Sequence, residues 1–251
     1  MVRMILHGCN GVMGQVVTHL AAEDPELTVV AGIDINTEQK NDYPVFARLA
    51  DCEVEADVIV DFSSAKALDA LLDYMKERKI PGVLCSTGLS EAQIAAVEEA
   101  SREVAVLKSA NMSLGINTLF KVLKMVAPLL AEEGFDIEIV EKHHNRKLDA
   151  PSGTAIALAD AINESLDEPY AYKFDRSQER KKREKKEIGF SSVRGGSIVG
   201  EHDVIFAGTD EVITIQHTAY SRAIFAKGAL AGAKFLAGKP VGYYNMQDVI
   251  G

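Results

Sequence analysis

A short apolar run at residues 2–7 passes directly into three glycines spaced three residues apart, and this combination strongly restricts the fold. The turn reads G-C-N-G-V-M-G from Gly8 to Gly14, and an amphipathic segment follows it. Glycines allow a tight turn and a close approach of the backbone, while a helix N-terminus favours the charge of a pyrophosphate. The pattern therefore predicts a strand, a turn and a helix that bind a dinucleotide through Gly8, Cys9, Asn10, Gly11, Val12 and Met13.

One aspartate, Asp34, follows the second strand-like run and lies 20 residues after Gly14. At this place in dinucleotide-binding folds an acidic side chain accepts hydrogen bonds from the adenosine ribose. The charge of Asp34 would repel a 2′-phosphate, and Ile35 and Asn36 supply no compensating cation. We therefore expect NADH to be favoured over NADPH, unless the loop that carries Lys40 folds back. The alternative is a glycine-rich turn beside an unrelated surface aspartate.

The first part of the chain repeats strand-like and helix-like segments. Strands are expected at residues 2–7, 27–33, 57–62, 81–85 and 104–108, with helices at 12–22, 65–78 and 91–101. Ser90 is expected to cap the third of these helices. Repeated β-α units of this kind form parallel sheets with right-handed crossovers. We therefore predict an α/β, Rossmann-type domain.

After residue 111 the pattern changes. An amphipathic helix is expected at 114–130, with an apolar stripe formed by Leu119, Val122, Leu123 and Val126. A strand is expected at 136–142 and a helix at 155–166, followed by three strand-like runs near 188–193, 197–207 and 211–219. These indicate a second, α+β domain built on a mixed open sheet, and the helix at 223–236 is expected to rejoin the first domain. The predicted division is a dinucleotide-binding domain at 1–112 plus 223–251, and a substrate-binding and oligomerisation domain at 113–222.

Composition excludes several classes of protein. The chain has 251 residues, a hydrophobic content of 47% and a net charge of −10, which argues against a nucleic-acid surface over the whole protein. No apolar run approaches the roughly 20 residues needed to span a bilayer, and the N-terminus has no signal-peptide pattern. We expect a cytoplasmic protein without nucleic-acid or membrane partners. For the charge run at 173–186, a solvated mobile loop is favoured over a nucleic-acid role because acidic residues interleave.

The three cysteines, Cys9, Cys52 and Cys85, have no C-x-x-C spacing, so they predict neither a disulfide framework nor a zinc site. Cys9 lies where a helix N-terminus could lower a thiol pKa and favour oxidation. A small loop filler is nevertheless the favoured interpretation of this residue.

The richest chemistry lies in the stretch E-K-H-H-N-R-K-L-D-A-P-S-G-T-A, from Glu141 to Ala155. A histidine can deliver a proton at physiological pH, and a lysine can neutralise a carboxylate or protonate a ring. Adjacent histidines on a strand point to opposite sides, so the two share a pocket only if the chain leaves the strand there. No cysteine or carboxylate stands at zinc-like spacing from these histidines, and we expect no metal. The residues concerned are His143, His144 and Lys147.

The end of this stretch, Ser152-Gly153-Thr154, is expected to open a helix. Free backbone N–H groups and the two hydroxyls would then form a carboxylate site. The alternative is ordinary N-capping.

With these motifs the chain closely resembles the dihydrodipicolinate reductase family of bacteria, also called 4-hydroxy-tetrahydrodipicolinate reductases. Besides the glycine turn and the 141–155 stretch, the matching motifs are D-F-S-S from Asp61, S-T-G from Ser86, A-N-M-S from Ala110, V-R-G-G from Val193, G-E-H from Gly200 and M-Q-D-V from Met246. The match covers essentially the whole chain. The segment from the two histidines to Pro-Ser-Gly-Thr is specific, whereas the glycine turn alone is not.

The resemblance implies NAD(P)H-dependent reduction of 4-hydroxy-tetrahydrodipicolinate, a cyclic dicarboxylate, in diaminopimelate and lysine biosynthesis. It implies that His143 and Lys147 carry out proton transfer, and that His144, Gly153 and Thr154 bind the substrate. It implies nicotinamide contacts for Cys85, Ser86, Thr87, Ser109, Ala110, Asn111 and Met112. It also implies a homotetramer joined through the sheet of the second domain. Cys85 departs from the glycine usual in the family, which leaves less room beside the cofactor.

Two alternatives remain open at the level of sequence. One is a nicotinamide-dependent reductase of another small dicarboxylate or amino acid. The other is a non-enzymatic dinucleotide sensor, which needs no proton-donor cluster.

Overall fold

The computed structural model, described for residues 1–38 and 41–251, divides the chain into two compact units. Unit 1 contains Met1–Leu114 and Ala223–Gly251, and unit 2 contains Gly115–Arg222. Each unit has its own sheet and its own hydrophobic core. Dinucleotide binding by unit 1, and substrate binding and oligomerisation by unit 2, stay predictions.

The described residues form twelve strands and seven α-helices, together with two short 3-10 helices at Leu49–Asp51 and Ala65–Ala67. The strands are β1 (Val2–His7), β2 (Leu27–Ile33), β3 (Val45–Phe46), β4 (Val58–Asp61), β5 (Gly82–Leu84), β6 (Ala105–Lys108), β7 (Asp136–His143), β8 (Ala171–Lys173), β9 (Glu187–Arg194), β10 (Gly200–Ala207), β11 (Val212–Ala219) and β12 (Gly242–Tyr244). The helices are α1 (Val12–Ala22), α2 (Leu68–Arg78), α3 (Glu91–Ala100), α4 (Leu114–Glu132), α5 (Gly153–Asn163), α6 (Ala223–Leu236) and α7 (Met246–Ile250).

Unit 1 is built on a parallel sheet with the strand order β12-β6-β5-β4-β1-β2-β3. Successive residues of a strand point to opposite faces, so Met4 and Leu6 enter one core while Ile5 enters the other. Helices α1, α6 and α7 contribute to the first core, and α2 and α3 to the second. From β1 the sheet continues to β2 on one side and to β4 on the other. Ligands of doubly wound sheets bind at the carboxyl ends of strands at such a reversal.

Unit 2 is built on a mixed sheet with the order β11-β10-β7-β9-β8. Strand β10 pairs antiparallel with both of its neighbours, whereas β7, β9 and β8 are parallel. Helices α4 and α5 cover one face, where Leu123 and Leu158 pack on Ile139 and Phe206. Together the two sheets confirm the predicted fold class, a Rossmann-type sheet with a second α+β unit on a mixed sheet.

Helix α4 departs from two expectations. Val122 was expected in its apolar stripe but is 36% exposed, and the buried positions are Ile116, Asn117, Leu119, Leu123 and Ala127. By length and composition α4 is also apolar enough to cross a membrane, although no such run was expected. A core helix has the same properties, and the buried face of α4 belongs to the core of unit 2.

The charge run at 173–186 is bound to the sheet of unit 2 at two arginines, so a purely solvated loop is the wrong description of them. Arg183 donates to Asp136 Oδ1 at 2.8 Å and to Glu138 Oε1 at 3.0 Å. Arg176 donates to the same oxygen of Glu138 at 2.7 Å. These cations therefore compensate the acidic side chains of β7.

Candidate active site

The glycine turn of unit 1 has no room for side chains at two of its three glycines. Gly8 has a φ of +80°, and a Cβ there would lie 2.8 Å from the carbonyl carbon of Phe62. A Cβ at Gly14 would lie 2.2 Å from the oxygen of Gly8. Helix α1 then begins at an N-cap residue, Gly11, that cannot supply a capping side chain. The turn thus fits a pyrophosphate held by backbone N–H groups at the helix N-terminus.

Asp34 follows β2, and its side chain is held by one backbone N–H group of the glycine turn and by another of its own loop. Its Oδ2 accepts a hydrogen bond from the N–H of Asn10 at 2.9 Å, and its Oδ1 accepts one from the N–H of Asn36 at 2.9 Å. The side chain of Asn41 donates to Asn10 Oδ1 at 2.8 Å. Each carboxylate oxygen can accept a further bond, as a ribose diol requires. Lys40, which bears on the choice of nucleotide, lies outside the described residues.

Cys9 contributes to the turn through its backbone. Its side chain is fully buried, and its Sγ lies where a side chain at Gly32 would have to be. Burial, helped by the charge of Asp34, raises the pKa of the thiol to about 11. The favoured interpretation of Cys9 as a small filler is thus confirmed, and the alternative of a lowered pKa is excluded because the sulfur faces the core instead of the helix N-terminus. Its carbonyl oxygen accepts a hydrogen bond from Gln15 at 2.8 Å.

The remaining residues expected at the nucleotide follow β5 and β6, which are neighbours in the sheet. Ser86 is buried, and its carbonyl oxygen accepts a bond from Lys108 Nζ at 3.3 Å. Ser109 Oγ accepts a bond from the N–H of Met246 at 2.6 Å. Burial raises the pKa of Cys85 well above its ordinary value. Of the others, Thr87 and Ala110 are exposed, Asn111 is half-buried and Met112 is buried.

In unit 2 the candidate site lies at the end of the helix-covered face of the sheet. Alternate residues of β7 point inward, and the buried ones are Ile137, Ile139, Glu141 and His143. The apolar pattern of a core strand thus gives way to two ionisable side chains. Glu141 pairs with His202 on β10, while His143 pairs with Arg194 on β9.

Glu141 is the centre of this cluster and has no exposed surface. Arg194 binds it with two nitrogens, at 2.8 Å to Oε2 and 2.6 Å to Oε1. His143 Nδ1 lies 2.6 Å from Oε2, and the N–H of Ser152 donates to Oε1 at 3.2 Å. Burial alone would raise the pKa of Glu141, but the bonds from Arg194, Ser192 and His143 outweigh it and hold the pKa at about 2. Glu141 is therefore a carboxylate throughout the physiological range.

His143 is 9% exposed, and its ring meets the ring of His202 edge to face at a centroid distance of 5.1 Å. Burial lowers the pKa of His143, Glu141 raises it, and the charges of Lys147 and Arg194 lower it further, so that the net shift is downward. His202 is more strongly affected: burial and the neighbouring His143 lower its pKa to about 4.

The chain leaves the strand at His144, which meets the condition for two adjacent histidines to share a pocket, and turns at residues 145–146. Lys147 is half-buried, and its Nζ lies 2.9 Å from Asp149 Oδ1. Arg146 faces solvent. The structure thus carries a histidine and a lysine on one short segment of unit 2.

Helix α5 begins at Gly153, and Ser152 is its N-cap. Ser152 Oγ accepts a bond from the N–H of Ala155 at 3.1 Å and lies 2.9 Å from His202 Nε2. Ser152 is buried, so this hydroxyl performs the capping role that was the alternative to carboxylate binding. Gly153 is exposed with open space around it, and Thr154 is half-buried.

Sequence reasoning did not assign roles to Arg194 and His202, although both lie in motifs that carry the family resemblance. It also took Glu141 only as the start of a motif. A usable signal was present in β7, whose inward positions change from isoleucine to Glu141 and His143. Within residues 1–38 and 41–251, no group of three or more His, Cys, Asp or Glu side chains is placed to hold a metal ion.

Two family models match the chain. The one described as dihydrodipicolinate reductase, N-terminus, matches residues 2–112, and the one described as dihydrodipicolinate reductase, C-terminus, matches residues 115–250. A 4-hydroxy-tetrahydrodipicolinate reductase of Caldanaerobacter subterraneus subsp. tengcongensis is 55% identical over 250 residues, covering 100% of this chain and 98% of the relative. One of Clostridium tetani is 49% identical over 250 residues, with 100% and 97% covered.

Solved structures show the same fold. A dipicolinate-bound dihydrodipicolinate reductase from Paenisporosarcina sp. TG-14 has a TM-score of 0.80 at 23% identity, with 99% of each chain covered. A myo-inositol dehydrogenase from Corynebacterium glutamicum has a TM-score of 0.60 at 16% identity, covering 100% of this chain and 92% of that one. At these identities the likeness concerns the fold alone.

Proposed function

The chain belongs to the dihydrodipicolinate reductase family and is an NAD(P)H-dependent oxidoreductase, and from this premise we propose that His143 and Lys147 supply the protons of its reaction. It reduces 4-hydroxy-tetrahydrodipicolinate to tetrahydrodipicolinate. The observation that carries the proposed roles is the buried His143 imidazole, bound through Nδ1 to ionised Glu141. That bond leaves Nε2 as the nitrogen that can exchange a proton with substrate.

A reduced nicotinamide supplies hydride, and the protein supplies orientation and charge. Hydride addition to a conjugated imine leaves electron density on the ring that a proton must quench. In the free protein the pKa of His143 is lowered, so the neutral form is favoured. A dianionic substrate beside the ring stabilises the imidazolium and raises this pKa. His143 therefore takes up its proton as the substrate binds and delivers it during the reduction.

The substrate carboxylates are proposed to bind at the start of α5. Gly153 and Thr154 present the first backbone N–H groups of that helix, where the dipole favours an anion. His144 and Lys147 add side-chain contacts to the same ligand. The Ser152 hydroxyl is engaged within the protein, and its part in substrate binding is to hold this helix end in place.

The experiment follows NADH absorbance with substrate freshly generated from pyruvate and aspartate semialdehyde. We expect His143→Gln and Lys147→Ala each to lower kcat by at least roughly a hundredfold, the low end for a general acid, while NADH binding is kept. Arg146→Ala is the matched control, because that cation is exposed on the same segment. Unchanged rates in the first two variants would remove these residues from the mechanism. A dinucleotide sensor would show no turnover even in the unaltered protein.

For the nucleotide we propose that NADH is favoured. Asp34 is held by two backbone N–H groups where the ribose of a bound nucleotide would lie, and its negative charge opposes a 2′-phosphate. The proposed contacts are those of the glycine turn, Asp34, and the loops after β5 and β6. Comparison of kcat/KM for the two nucleotides tests this, and a tenfold preference for NADPH would refute it.

The family resemblance supports three further proposals: a role in diaminopimelate and lysine biosynthesis, a cytoplasmic location, and a homotetramer joined through the sheet of unit 2. The edge strand β11 carries an exposed valine, Val212, and exposed edge strands favour pairing with another chain. Sedimentation velocity at micromolar concentration should give a tetramer. A monomer would contradict the proposed assembly.

A further inference from the structure

We propose that Glu141, held as a carboxylate by Arg194, is the positioning residue that fixes the tautomer and orientation of His143, so that Nε2 alone exchanges a proton with the substrate. This inference rests on the proposed function, because it concerns how the proposed acid is prepared. Glu141 itself touches no reacting atom in the proposed reaction. It acts through His143.

The contact geometry sets the direction of the proton. His143 Nδ1 and Glu141 Oε2 are 2.6 Å apart, the length of a charge-assisted hydrogen bond. A carboxylate can only accept, so Nδ1 must carry the hydrogen in both the neutral and the protonated imidazole. When His143 delivers its proton, the Nε2–H bond breaks, its electron pair stays on Nε2, and the Nδ1–H bond remains. The deprotonated product is thus a single tautomer.

Arg194 prevents Glu141 from taking that proton. Its two nitrogens bind both carboxylate oxygens, and one of them also donates to the carbonyl oxygen of Asp149 at 2.7 Å. The bidentate pair stabilises the charged form of the carboxyl group and adds geometric specificity. With the N–H of Ser152 on Oε1, the carboxylate is bound on three sides and cannot rotate away from the imidazole.

The other groups that face His143 tune its charge. Glu141 on β7 favours the imidazolium, whereas Arg194 on β9 and Lys147 on the following loop oppose it. His202 on β10 meets the ring edge to face and stays neutral above about pH 4, so it packs against the imidazole without adding a charge. Asp149 is paired with Lys147 and offsets part of that opposing charge. Among these groups Glu141 is the one in direct contact with the ring through a negative oxygen.

The test is Glu141→Gln in the full-length protein, which keeps the size of the side chain and removes its charge. We expect kcat at pH 7 to fall by at least roughly tenfold with KM for the substrate nearly unchanged, because the proton donor is lost and not the binding site. The limb at which kcat declines with rising pH should move to lower pH, since the group that raised the pKa of His143 is gone. Glu141→Asp, which keeps the charge, should bring this limb most of the way back to its position in the unaltered protein.

A spectroscopic measurement reads the tautomer directly. In protein labelled with nitrogen-15 histidine, neutral His143 should carry its hydrogen on Nδ1, and Glu141→Gln should populate the Nε2–H form. The matched control is Glu187→Gln, since Glu187 is a buried carboxylate on the same sheet that accepts a bond from Arg176. It should lower stability without changing the pH profile or the His143 tautomer.

The outcomes separate this inference from the proposed function. If His143→Gln keeps full activity, the proposed acid itself is wrong. If His143→Gln loses activity while Glu141→Gln keeps the unaltered pH profile and tautomer, only the role of Glu141 is overturned. Should Glu141→Gln fail to fold because Arg194 is left unpaired, the double variant Glu141→Gln with Arg194→Gln removes the unmatched charge. The same tautomer change is expected of it, and its absence would overturn the inference equally.

Discussion

The two units build their sites from different kinds of chemical group. In unit 1 the glycine turn and the loops after parallel strands mainly present backbone groups, with the carboxyl group of Asp34 and the amino group of Lys108 beside them. In unit 2 the site consists of ionisable side chains, Glu141, His143, Arg194 and His202, that replace apolar residues at the end of a core face. Backbone groups do not titrate, whereas buried side chains do. The first site should therefore be sensitive to added atoms, and the second to pH.

The largest expected effect concerns acid stability and His202. The pKa of its imidazole is about 4 in the folded protein, against about 6.5 in an unfolded chain. Between these values the unfolded state binds more protons, so stability is lost as the pH falls through this window. The loss from this one group is on the order of 3 kcal/mol when pH 4 is reached. Urea unfolding at pH 7, 6, 5 and 4 measures it.

Two variants sharpen that measurement. His202→Gln should be less stable at pH 7 but should lose less stability on acidification. Plotted against pH, its free energy of unfolding should therefore approach that of the unaltered protein at low pH. His19→Gln in α1 of unit 1, which removes an exposed imidazole, is the control for the loss of a histidine as such. Parallel curves for the unaltered protein and His202→Gln would break the proposed contrast between the units.

The next effect concerns the backbone site. Gly14→Ala places a Cβ 2.2 Å from the oxygen of Gly8, and overpacking of this kind costs roughly 1–3 kcal/mol. We expect the Kd for NADH to rise roughly tenfold to a hundredfold. The pH at which kcat declines, which His143 is proposed to set, should not change. Fluorescence titration with NADH measures the affinity. Gly232→Ala in α6 is the control, because its Cβ would make only ordinary contacts, the nearest at 3.4 Å. Equal affinities in the two variants would contradict the role of the turn.

The smallest effect concerns the space around the reactive imidazole. A Cβ at Gly200 would lie 3.1 Å from His143 Nε2, so Gly200→Ala should displace the ring by a few tenths of an ångström. We expect kcat to fall by roughly tenfold, since small misplacements of a catalytic group are costly, with NADH affinity unaltered. Gly195→Ala, at an open position of the neighbouring turn, should have the unaltered rate. A normal kcat in Gly200→Ala would contradict the expected sensitivity of the reaction to the position of Nε2.

Features that depend on neighbours in the sequence were predictable. The glycine turn, the helix cap at Ser90 and the inward face of β7 all follow from spacing within a few residues. Short edge strands were missed, among them β3, β8 and β12, because two or three residues carry no usable periodicity. Their pairing is decided by the strands they lie against.

The centre of the unit 2 site was less predictable because its partners are distant in sequence. Arg194 lies 53 positions from Glu141, and His202 lies 50 from Ser152; only the register of β9 and β10 against β7 brings them together. The burial of the Cys9 thiol also depends on residues that are distant in sequence. Its environment is set by Gly32 and Tyr43, which belong to the next β-strand and the loop beyond it.

The return of the chain to unit 1 has a consequence for its synthesis. Helix α6 supplies Ala229, Ala233 and Leu236 to the core that also contains α1, and β12 pairs with β6. A ribosome therefore releases every residue of unit 2 before it releases the last helix and strand of unit 1. Until then the face of the early sheet on which α6 packs is covered only by α1, and a nascent chain stalled near Arg222 exposes an apolar surface of the kind that chaperones protect from aggregation.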